Sequence, residues 1–170
     1  MTDDPLEQLL TRLTEDASIP LASEDATKQG AILPILVRLG WDRENVREVV
    51  PEHRVQSGGR VDYCLRIRDK NCVFIEAKKV DQELEKHKEQ LLEYAFREGV
   101  ELAALTNGVL WWLYLPLLGG SWEQRKFFTI DIPQQGAGAA AEHFRAYLGK
   151  NEVGSGSAVR RATELHRTCW

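Results

Sequence analysis

Apolar positions near the start of the chain recur at helical spacing. In "DDPLEQLLTRLTED", Leu6, Leu9, Leu10 and Leu13 fall on one face, which predicts a short amphipathic helix packed on the body of the protein. A second helix is expected to start at Ser23, a favoured N-cap residue, and to run through "EDATKQGAILPILVRL" to Gly40. Ile32, Ile35, Leu36 and Leu39 form its buried stripe. Pro34 lies inside this helix and removes a backbone donor, so a local kink is expected.

From "NVREVVPEHRV" onward the period shortens to that of a strand. Strands are predicted over 45–56, 60–68 and 71–79, joined by "SGG" and "DKN", connections short enough for antiparallel hairpins. "DQELEKHKEQLLEYAFREG" returns to helical spacing, with Leu84, Leu91, Leu92, Ala95 and Phe96 on one side and Gly99 as its stop. "ELAALT", the pair Asn107-Gly108 read as a type I′ turn, and "VLWWLYLP" then predict strand, hairpin and strand, and "EQRKFFTIDI" adds another strand. Trp111 and Trp112 alternate faces, so one of them belongs to the core. A Gly/Ala-rich stretch at 136–141 leads into "EHFRAYLG", and "GSGS" precedes the helical "AVRRATELHR". Helix, three strands, helix, strand and further strands make an α/β (α+β) protein with a mixed sheet flanked by helices.

A length of 170 residues suits one domain with a sizeable core. The longest apolar runs, "AILPILVRLG" and "VLWWLYLPLL", fall short of the ~20 residues that span a bilayer, so no membrane association is expected. The acidic "MTDDPLEQLL" has no secretion-signal pattern, which points to the cytoplasm. Three cysteines without a C-x-x-C pair and four scattered histidines argue against zinc. A net charge of −4 argues against a surface that holds nucleic acid all over, but not against a basic cleft. Arginine and lysine do gather between Arg43 and Lys79, whereas acid predominates in the first 25 residues and around 81–101.

Within that basic segment, "VFIEAKK" begins as a buried strand and turns abruptly polar. Glu76 and Lys78 share one strand face, and folding about a turn near Asp69 brings Asp62 almost opposite Glu76. One reading is an exposed hairpin with charges on its wet face. The other is a reaction centre, because two close carboxylates repel each other unless a cation lies between them. Mg²⁺ suits such a pair, taking oxygen ligands from one or two carboxylates and the rest from water and phosphate. Lys78 would then steady negative charge developing beside it.

The linked stretches "GGRVDYCLRI", "NCVFIEAKK", "EQLLEYA" and "AALTNGVLWWLY" resemble the N-terminal nuclease domain of the motor (R) subunit of type I restriction enzymes, in the PD-(D/E)xK superfamily. The resemblance covers roughly residues 20–132. It implies a restriction endonuclease-like core in the order αβββαβ and Mg²⁺-dependent hydrolysis of DNA phosphodiester bonds, with Mn²⁺ as a substitute. The implied catalytic residues are Asp62, Glu76, Lys78, Gln90 and Tyr94, with Asp62 and Glu76 as metal ligands. Glu24 resembles the additional metal-binding acid of many members, although an acid at a helix N-terminus is equally explained by the helix dipole. Glu52 is a weaker candidate for that role. Lys79, Arg60, Gln90 and Tyr94 are the implied DNA contacts, and Val61 stands where the family usually has proline.

This division gives an N-terminal helical extension over 1–20, the nuclease-like domain over 21–133 and a C-terminal helical extension over 134–170. No G-x-x-x-x-G-K-[ST] is present, so no nucleotide cofactor is expected, and no helix-turn-helix or zinc finger is present to read bases. Expected partners are DNA and either a second copy of the chain or restriction–modification subunits. A second function class stays open: a module that keeps the nuclease fold without turnover and binds DNA or a protein partner.

Overall fold

The computed structural model describes residues 2–16, 23–79 and 84–169. Helix α1 (Pro5–Glu15) is capped by Asp4, whose side chain accepts from the Leu6 N–H, and its four leucines are buried. Ser23 caps the next helix as expected, its Oγ accepting from the Ala26 N–H at 3.0 Å. That helix is not a single kinked rod. An α-helical turn, α2 (Glu24–Thr27), is followed by a π-helical segment (Lys28–Ile32) and then by α3 (Leu33–Arg38). The missing Pro34 donor falls at the end of the π segment, so the irregularity lies N-terminal to the proline rather than at it.

Six strands follow: β1 (Val49–Arg54), β2 (Arg60–Ile67), β3 (Lys70–Ala77), β4 (Leu102–Thr106), β5 (Leu110–Tyr114) and β6 (Lys126–Asp131). They form one mixed sheet in chain order, with β3 and β4 parallel and every other neighbouring pair antiparallel. The first strand begins at Val49 because residues 45–48 are taken up by turns, and the third ends at Ala77, leaving Lys78 and Lys79 just beyond it. Between β3 and β4 lie a 3-10 turn (Leu84–Lys86) and α4 (Lys88–Arg97), while 81–83 of the helix expected here lie outside the described residues. Phe96, expected on the buried stripe, is 50% exposed instead, edge-on to Trp122.

The remaining helices are α5 (Ile132–Gln135), α6 (Ala137–Leu148), α7 (Lys150–Ser155) and α8 (Ser157–Cys169). The Gly/Ala-rich stretch is therefore itself helical from Ala137, and the "GSGS" break narrows to Gly156, whose φ is 85°. One sheet face, with Val73, Ile75, Ala77 and Trp111, is buried against α1, α3, α6 and α8. The opposite face, with Cys64, Phe74, Ala103 and Leu105, packs on Leu91, Leu92 and Ala95 of α4. Both faces of β3 are thus covered, which explains its continuous apolar run. Among the described residues no helix is long and apolar enough to cross a membrane.

Two turns differ in their chemistry. Asn107-Gly108 is not type I′, since only Gly108 of the two has positive φ. Asn107 Oδ1 instead accepts from the N–H groups of Val109 and Leu110, a side chain substituting for backbone. The β2–β3 hairpin does turn on two left-handed residues, Arg68 (φ 52°) and Asp69 (φ 64°), neither of which has glycine's freedom. Replacing them by Asn-Gly is expected to stabilise the protein by about 1 kcal/mol, read as a rise in Tm of about 2–4 °C.

Candidate functional site

The pairing of Tyr63 with Ile75 and Cys64 with Phe74 fixes the register of β2 on β3, and its continuation sets Asp62 opposite Glu76. Each carboxylate is held by the other strand's backbone. The Asp62 N–H donates to Glu76 Oε1 at 3.1 Å, and the Ala77 N–H donates to Asp62 Oδ2 at 2.7 Å. On the other side of β2, Pro51 pairs with Tyr63 and His53 with Val61, which sets Glu52 opposite Asp62. Glu52, Asp62 and Glu76 therefore form a row across three neighbouring strands.

Two lysines complete the row. Lys78 continues the β3–β4 pairing by one residue, its N–H donating to the Thr106 carbonyl at 2.9 Å, and its Nζ lies 3.6 Å from Glu76 Oε2. Lys28, the first residue of the π-helical segment, puts its Nζ 2.8 Å from Asp62 Oδ1 and 3.5 Å from Glu52 Oε1. The Asp62 and Glu76 side chains are only 12% and 16% exposed, so these charges interact in a partly desolvated setting.

Burial, reinforced by the neighbouring Asp62 charge, pushes the Glu76 carboxyl up to about 8, while Lys78 pulls it back in part. Burial alone would lower Lys28, but its hydrogen bond to Asp62 and the charges of Asp62 and Glu52 prevail and raise it above the usual lysine range. His87, next to the start of α4, is lowered by burial and then by the Lys78 charge, with Glu24 opposing, so it stands within electrostatic reach of the site. The Tyr63 phenol is pushed up to about 12, chiefly by burial.

Of the residues singled out from sequence, Asp62, Glu76 and Lys78 come together. Tyr94 packs against the β1–β2 hairpin, where a Cβ on Gly59 would collide with its hydroxyl. Gln90 is exposed on α4, and among the described residues neither side chain makes a hydrogen bond. Glu24 opens α2 one helical turn before Lys28. No group of three His, Cys, Asp or Glu side chains among the described residues is arranged to hold a metal ion. Arg60 is exposed and pairs directly with Arg54 across the hairpin, and Lys79 is half-buried beyond β3.

Sequence reasoning missed Lys28 and His87. The i, i+4 relation of Glu24 and Lys28 was the one local signal that the lysine shares a helix face with a candidate acid. His87 offered no comparable spacing. Comparison with protein-family models, curated proteins and solved structures gives no match to this chain.

Proposed function

We propose that the chain is a Mg²⁺-dependent DNA endonuclease domain of the restriction endonuclease-like, PD-(D/E)xK class, resembling the N-terminal domain of type I restriction motor subunits. The observation that carries this reading is the Asp62–Glu76 pair, each carboxylate anchored by backbone N–H, with the Lys78 ammonium 3.6 Å from Glu76. The donor set fits Mg²⁺: two oxygen ligands in a partly dry site, where burial first and then the Asp62 charge otherwise favour a protonated Glu76. When bound, the ion supplies Lewis acidity toward a phosphate and acidifies water.

The chain's own residues supply the rest. Backbone anchoring holds Asp62 and Glu76 in place before any ligand arrives, which lowers the reorganisation needed on binding. Lys78 stands ready to donate to an anionic phosphate oxygen beside Glu76. Arg54 and Arg60, like charges directly opposite and both exposed, cost stability where they stand and gain a role if a phosphate backbone passes over the hairpin that carries Asp62. The same reading carries a cytoplasmic location. It also needs a second copy, or restriction–modification subunits, for a double-strand cut, since one such site cuts one strand.

The test is incubation of the protein with plasmid and single-stranded DNA in Mg²⁺ or Mn²⁺. Nicking that stops on chelation is the expected result, and intact DNA under all these conditions overturns the proposal. One observation favours a second reading, a lapsed module that binds without turnover: Lys28 already engages Asp62 at 2.8 Å. That reading expects DNA or protein binding that survives Asp62→Ala and calorimetric titrations without Mg²⁺ or Mn²⁺ uptake.

A further inference from the structure

Each site carboxylate has one oxygen fixed by backbone and one facing an ammonium. Asp62 Oδ2 and Glu76 Oε1 accept from Ala77 and Asp62 N–H groups, whereas Asp62 Oδ1 meets Lys28 and Glu76 Oε2 meets Lys78. The oxygens free of backbone are those a cation would take. Lys28 also has a second acceptor within reach, Glu52, whose side chain is 55% exposed and whose backbone is held at a φ of 48°. A left-handed glutamate inside a strand is strained, and such strain persists where the surroundings demand it. Here it accompanies a carboxylate 3.5 Å from the Lys28 ammonium.

We propose that Lys28 is the internal counter-ion of the metal-free site and that uptake of a divalent cation is an exchange, in which Lys28 leaves Asp62 and is retained by Glu52. The inference rests on the nuclease reading above. Lys28 is accordingly a positioning residue that acts through Asp62: it balances that carboxylate's charge without metal and withdraws when metal binds. Lys78, by contrast, remains beside Glu76.

The experiment is a double-mutant cycle of Mn²⁺ affinity, read by calorimetry without DNA on the wild type, Lys28→Met, Glu52→Gln and the double variant. Lys28→Met should bind Mn²⁺ about tenfold more tightly, the loss of one charged hydrogen bond in competition. Glu52→Gln should weaken binding several-fold while Lys28 is present and have little effect once it is methionine. Additive effects of the two substitutions, or unchanged or weaker binding by Lys28→Met, overturn the exchange. Lys28→Gln replaces Lys28→Met if circular dichroism shows the latter unfolded. Failure of the nuclease reading looks different: none of the four proteins then takes up Mn²⁺. A wild type that binds metal and cuts DNA while the cycle is additive removes only the exchange.

Discussion

Lys78→Ala is expected to lower the rate of Mg²⁺-dependent DNA cleavage by about 10²–10³-fold, the usual loss when one charge-stabilising donor is removed from a water-poor site. The fold should survive, because Lys78 lies beyond the last residue of β3 and its backbone N–H still reaches the Thr106 carbonyl. The loss should fall on kcat more than on KM, since a group that answers charge developing in the transition state contributes little to ground-state DNA binding. Lys78→Arg should recover only part of the rate, the planar fork being a poor substitute for a compact ammonium. A second readout follows from electrostatics. Lys78 lowers the Glu76 pKa, so its removal should move the pH for half-maximal metal uptake upward. Cutting by Lys78→Ala at the wild-type rate would sink the catalytic assignment.

The Asp62–Glu76–Lys78 group was legible in the sequence for a geometric reason. Strand side chains alternate with a period of two, and the spacing centred near Asp69 anticipated the facing pair; the structure reaches it through a one-residue register shift between Leu65 and Arg66, without which the two-residue turn at Arg68-Asp69 would set Asp62 opposite Ile75. The covered faces of β3 were legible in "CVFIEA" as a continuous apolar run, which a strand buried on both faces requires. Lys28 was not, because its approach to Asp62 depends on the π-helical segment and on how that segment lies against the sheet, which no local period encodes. His87 escaped because its closeness to Lys78 depends on how the start of α4 lies against the end of β3, which no local period encodes either. Phe96 misled because a hydrophobic residue at the edge of a helical stripe fits equally a core and an exposed aromatic contact, here with Trp122. At Asn107-Gly108 the dipeptide signalled a turn correctly, but Thr106 Oγ1 and Asn107 Oδ1 capture the loop N–H groups and select another geometry.

Glu76→Gln is expected to do two opposite things, abolishing cleavage while raising stability in the absence of metal. The glutamine oxygen can still accept from the Asp62 N–H, so the link between β2 and β3 is kept while the buried charge is removed. The sign of the pH dependence follows from the raised pKa. Unfolded, the carboxyl ionises near its ordinary value of 4.5; folded, burial and the Asp62 charge hold it protonated up to about 8. Between these values the folded protein binds more protons than the unfolded chain, so the contribution of Glu76 is fully present below 4.5 and is lost as pH rises through about 8. The gap between variant and wild type should therefore widen across that window. At pH 8.5 it should reach on the order of 2 kcal/mol, or about 4–8 °C in Tm for a chain of this size. Magnesium should close the gap by stabilising the wild type alone, since a ligand that binds only the folded state adds to its stability. A gap that does not change with pH would show that Glu76 is not strained by its surroundings, and one that Mg²⁺ does not narrow would remove Glu76 from the metal site.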